Sequence, residues 1–125
     1  VIMLDSIDIV KNNLGFLITD YSFEFTHEGK TWDNYIFKNR FGKIVFFEWL
    51  ERDDRSITVF CNKGIYEINL MFVAPKEMEM YYKKKKGIKG FFFDSRDLYW
   101  SIVADSVKKS IASDGTIWGI KVEKK

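Results

Sequence analysis

Residues 22–61 read SFEFTHEGKTWDNYIFKNRFGKIVFFEWLERDDRSITVFC, and their spacing of apolar side chains decides the fold. Over 22–27 the period is two, with Phe23 and Phe25 set against Glu24 and Thr26, which is the alternation of a strand with one face on a core. Glu28, Gly29 and Lys30 form a turn signal, and residues 32–39 follow as a partner strand. Arg40, Phe41 and Gly42 make a second tight connection into 43–50. There one face carries Ile44, Phe46, Glu48 and Leu50 and the other Val45, Phe47 and Trp49, so both are largely apolar. That pattern predicts a central strand covered on both sides. The polar run Glu51, Arg52, Asp53, Asp54, Arg55 turns the chain into 56–61, and Asn62, Lys63, Gly64 turn it again into 65–70. Five strands in close succession predict an antiparallel meander.

On the N-terminal side, Ile7, Val10, Leu14, Leu17, Ile18 and Tyr21 recur at helical spacing, which predicts a helix over 5–19 with Asp5 or Ser6 as N-cap and a weak point at Gly15. On the other side stands Pro75, the only proline. It suits a first helical position, and acids at Glu77 and Glu79 with lysines at 83–86 complement a helix dipole. A second helix is capped by Asp94 or Ser95, carries Leu98, Ile102, Val103, Val107 and Ile111 on one stripe, and ends at Asp114 and Gly115. Residues 116–122 alternate like a closing strand. The expected class is α+β in a single domain, 1–125: an antiparallel β-meander of five or six strands with an N-terminal helix and two C-terminal helices packed on the sheet.

With 125 residues, 46% of them hydrophobic and 22 aromatic, the chain can bury one core and is not a disordered segment. A single cysteine excludes an internal disulfide, and a single histidine excludes cages built of several imidazoles. No apolar run approaches the roughly 18 residues of a membrane span, and the opening residues lack a basic region followed by an apolar stretch. A soluble cytoplasmic protein without membrane contact is expected. Charge is unevenly placed: residues 1–75 hold 8 Lys and Arg against 11 Asp and Glu, while 76–125 hold 12 against 7. Sixteen of the basic residues are Lys and four are Arg, a poor ratio for base and phosphate forks.

The chemistry-bearing residues are few. His27 lies beside a turn signal with neither a cysteine nor a carboxylate cluster at motif spacing, so it reads as a solvated side chain. Cys61 shares a strand face with Ile57 and Val59 and reads as a small core hydrophobe. The acids Glu48, Glu51, Asp53 and Asp54 lack calcium-loop spacing and are interleaved with Arg52 and Arg55, the pattern of a charged hairpin turn. Phosphate loops and dinucleotide fingerprints are absent. No catalysis, metal or cofactor is expected. Lys83, Lys84, Lys85, Lys86 and Lys89, flanked by Tyr81, Tyr82 and 91–93, combine charge with stacking surface in the manner of single-stranded nucleic-acid binders. A solvated helix end explains the same run.

Across the first two thirds, a helix runs into Tyr21-Ser22-Phe23, followed by Phe37-Lys38-Asn39, Ile44-Val45-Phe46 and an Asp54-Arg55 turn before Ile57-Thr58-Val59. This pattern resembles the small bacterial immunity proteins of polymorphic-toxin and contact-dependent growth inhibition systems. The resemblance implies a cytoplasmic, non-enzymatic protein that binds one cognate toxin domain and blocks its active site. Some immunity proteins share the curved sheet of Whirly-type single-stranded DNA binders, which links the nucleic-acid alternative to the same architecture. A nuclease toxin is basic where it grips its substrate, so the expected partner-binding patch is Glu48, Trp49, Glu51, Asp53 and Asp54, acids around an aromatic anchor.

Overall fold

The computed structural model describes residues 5–86 and 95–125. In chain order it contains α1 (Ser6–Leu14), α2 (Phe16–Thr19), β1 (Glu24–Gly29), β2 (Asp33–Asn39), β3 (Gly42–Trp49), a short 3-10 turn (Leu50–Arg52), β4 (Asp54–Cys61), β5 (Gly64–Glu67), α3 (Leu70–Val73), α4 (Pro75–Lys86), α5 (Ser95–Asp114), β6 (Thr116–Ile117) and β7 (Ile120–Lys121). Each of the first four strands is antiparallel to the next, giving a five-stranded sheet in the order β1-β2-β3-β4-β5. The fold is α+β, as the alternation over 22–61 predicts, with the N-terminal and C-terminal helices packed on the sheet.

The alternation sorts the sheet into two faces. Tyr35 and Phe37 of β2, Ile44, Phe46 and Glu48 of β3, and Ile57 and Val59 of β4 are buried together with Trp100, Val103 and Val107 of α5. Trp100 meets Tyr35, Phe46 and Tyr99 edge-on at centroid distances of 5.7, 5.7 and 5.1 Å, the arrangement ring quadrupoles favour. The other face is only half-buried at Ile36, Val45, Phe47, Trp49, Thr58 and Phe60. Thus β3 is central, but its expected coverage on both sides holds for one face alone. Its second apolar face is open enough to serve as a surface.

Three boundaries differ from the expectation for physical reasons. The N-terminal helix divides at Gly15, where the helical run ends and a shorter one begins. β5 stops at Glu67; Asn69 then accepts a hydrogen bond from the Met71 N–H at 2.9 Å and caps α3. Residues 116–122 do not add a sixth strand. They fold back as the β6-β7 hairpin, pairing Ile117 with Ile120 across Trp118 and Gly119, both at positive φ (49° and 97°), the geometry of a tight hairpin turn. The helix expected from Pro75 is α4, and α5 starts at Ser95; Asp94, the other cap candidate, lies outside the described residues, as does the run 91–93. No helix among the described residues is long and apolar enough to cross a membrane.

Candidate functional site

Period two dictates that Glu48 and Trp49, adjacent in sequence, point to opposite faces of β3. Glu48 is in phase with Ile44 and Phe46, and its side chain is fully buried. Burial of a carboxylate requires a counter-charge and hydrogen bonds. Both are supplied at one oxygen: its register partner on β4, Arg55, donates from Nε to Oε2 at 2.8 Å, and Trp100 Nε1 donates to the same oxygen at 3.3 Å, while Oε1 is buried with no hydrogen-bond partner among the described residues. The Arg55 side chain is 6% exposed; its Nη1 donates to Asp53 Oδ1 at 2.7 Å and reaches the Tyr81 hydroxyl at 3.4 Å, and its plane lies 4.9 Å from the centroid of the Tyr99 ring. Lys85 adds its ammonium to the second Asp53 oxygen. Asp53 takes a left-handed conformation (φ 51°) to close the 3-10 turn, which aims its carboxylate back toward Arg55. Burial pushes the Tyr99 phenol above its ordinary range, with Arg55 pulling the other way, and burial lowers the Lys85 ammonium.

The expected five-residue patch is therefore split. Glu48 is a buried ion-pair partner and cannot meet another protein, and Asp53 is engaged by Arg55 and Lys85. Trp49, Glu51 and Asp54 remain. Trp49 and Asp54 are register partners at the end of the half-buried face, and Glu51 is exposed on the intervening turn. Around Trp49 gather residues that the reading of the sequence missed. Trp32 lies 5.5 Å from it, ring to ring, and 6.4 Å from Phe47, while the Arg52 guanidinium stacks 4.5 Å over the Trp49 ring. Trp32 is 46% exposed. The signal for Phe47 was its phase with Trp49; that for Trp32 was its phase with Ile36 in the strand expected over 32–39, although β2 itself begins at Asp33.

The lysine run ends α4. Lys83, Lys84 and Lys86 are exposed, Lys83 reaches Glu79 one turn back at 3.4 Å, and Lys85 is turned inward to Asp53. Tyr81 is 2% exposed and Tyr82 41%, so Tyr81 offers no ring for a base to stack on. Lys89 lies outside the described residues. His27, on β1 rather than in a turn, stacks on Tyr35 at 4.9 Å and bonds to Asp33 at 2.7 Å. Cys61 is partly buried, 3.7 Å from the Tyr66 hydroxyl. Among the described residues no group of three or more His, Cys, Asp or Glu is placed to hold a metal ion.

No protein-family model, curated protein or solved structure matches this chain. The site must therefore be read from its own geometry. Beside the ion-pair cluster, a cleft of about 340 Å³ opens between the start of β4 and α4; Asp53, Asp54, Glu67, Met71, Tyr82 and Lys85 are among its walls.

Proposed function

We propose that this chain is a non-enzymatic protein-binding domain that acts as an immunity protein, docking the end of its half-buried sheet face on the basic substrate-binding surface of a cognate nuclease toxin. The observation that carries the reading is the cluster of Trp32, Phe47 and Trp49 with Glu51 and Asp54 at its margin. Aromatic anchors beside solvated acids are what a plug for a cationic site needs: rings supply contact area at low entropy cost, and acids steer the encounter. The resemblance of the chain to immunity proteins points the same way.

The test starts from the neighbouring reading frame. Its product, expressed as a catalytically dead nuclease domain, is expected to bind this protein. Glu51→Lys with Asp54→Lys is expected to slow association roughly tenfold at low salt, with little change in dissociation. Trp49→Ala is expected to weaken Kd roughly thirtyfold through faster dissociation. Unchanged rates in both variants, or a neighbour that does not bind, would remove the reading. The nucleic-acid alternative meets its own test in fluorescence anisotropy with single-stranded DNA and RNA. Submicromolar, steeply salt-dependent binding abolished by Lys83→Glu, Lys84→Glu and Lys86→Glu together would put the lysine run in its place.

A further inference from the structure

β5 pairs with β4 only from Thr58 to Cys61, and the Ile68 N–H extends the ladder by one bond, to the Ile57 carbonyl at 2.9 Å. The chain then leaves for α3. The first residues of β4 thus have β3 on one side and no strand on the other. Along an antiparallel strand the N–H and C=O of one residue point the same way and alternate from residue to residue. Since the Ile57 carbonyl is directed away from β3, the backbone N–H and C=O of Arg55, two residues back, are directed the same way, toward the cleft beside α4. Among the described residues no backbone hydrogen bond outside the β3 ladder engages them. An unpaired strand edge of this kind is a template for an added strand.

The walls of that cleft say what strand it fits. Asp53, Asp54 and Glu67 line it together with Arg55 and Lys85, and Arg55 is already spent on Glu48 and Asp53. Among the described residues lining it, the remaining cation is Lys85, drawn in from the lysine run to Asp53. It occupies the position that an incoming basic side chain would take. Met71 and Tyr82 add exposed apolar surface at the rim, at 46% and 41%.

We infer that this cleft receives an extended segment of a partner protein, added as a strand beside Arg55, with a lysine or arginine side chain that displaces the Lys85 ammonium from Asp53. The inference rests on the protein-binding reading and names a second contact, centred on Arg55 and sharing Asp54 with the margin of the Trp49 cluster. It is tested by selecting from a random nine-residue peptide library displayed on phage against the intact protein, then titrating synthetic copies of the selected peptides into the 15N-labelled protein. The selected peptides are expected to alternate Lys or Arg with apolar residues, and saturation is expected to slow hydrogen exchange of the Arg55 amide about tenfold or more. Glu67→Lys is expected to weaken binding about tenfold, and Lys85→Ala to tighten it severalfold by removing the internal competitor. The sign of the Lys85 effect is decisive, because an anionic segment or a nucleic-acid phosphate in the same cleft would bind more weakly without Lys85. That sign, an unperturbed Arg55 amide, or a selection that yields no binding peptide would overturn the inference. Peptides that lose affinity with Trp49→Ala but not with Glu67→Lys would also overturn it while leaving the protein-binding reading in place.

Discussion

Arg55 is the residue on which most of the buried electrostatics turn. It joins Glu48, Asp53, Tyr81 and Tyr99, and its partner Glu48 has no access to solvent. Removing one member of a buried pair strands the other, so Arg55→Met is expected to cost about 3 kcal/mol or more in urea unfolding. Replacing both, Glu48→Met with Arg55→Met, is expected to recover part of that loss, since an apolar pair needs no counter-charge, although the buried Trp100 Nε1 then loses its acceptor. A single-variant cost below about 1 kcal/mol would show that the carboxylate is relieved in some other way. Half of this was legible in the sequence. Glu48 stands in phase with Ile44 and Phe46, and Arg55 with Ile57 and Val59, so period two already placed both on the core face. Grouping Glu48 with Trp49 and Asp53 by nearness along the chain overrode that phase, because acids in a run look like a solvated turn.

At the scale of elements, the β6-β7 hairpin shows what alternation cannot convey. Thr116, Ile117, Ile120 and Lys121 alternate as one strand would, yet the two positive φ values at Trp118 and Gly119 fold them into two. A tryptophan at positive φ has no sequence signature. The turn is held from outside, by the Tyr66 hydroxyl donating to the Trp118 carbonyl, and a Cβ at Gly119 would lie 2.6 Å from that hydroxyl. Gly119→Ala is therefore expected to lower stability by about 1–3 kcal/mol, from backbone strain and loss of the clamp together, in the same urea assay. Burial and the neighbouring Cys61 push the Tyr66 phenol up to about 12. A raised folded value means the neutral form is favoured in the native state. The stabilisation is complete below the unfolded phenol value of about 10 and is lost as pH rises from there to about 12. Thermal melts across that window are expected to fall more steeply for the natural chain than for Tyr66→Phe. By contrast, α4 and α5 were legible because Pro75, the lysine run, Ser95 and Gly115 punctuate them.

For the molecule as a whole, charge and shape divide the labour. The acid-rich first part builds the sheet and presents Glu51, Asp54 and the Trp49 cluster, whereas the lysine-rich run closes α4 on a different element. Raising salt from low to physiological levels is expected to slow association with a basic partner severalfold, with little effect on the lifetime of the complex, as stopped-flow traces would record. Fold class was readable because one long stretch of alternation fixed the sheet; the surface was not, because which half-buried rings gather depends on cross-strand register. The helices add a constraint of time. Every strand pair of the meander joins neighbours in sequence, whereas α1 packs against α5, with Asn13 bonded to Asp97 across 84 positions and Arg96 to Ser6 across 90. A chain emerging from the ribosome can therefore zip its sheet from local hairpins while Ile9, Val10 and Leu14 still await their final neighbours. This helix is synthesised before the α5 it docks on, and until α5 emerges its apolar stripe lacks that cover.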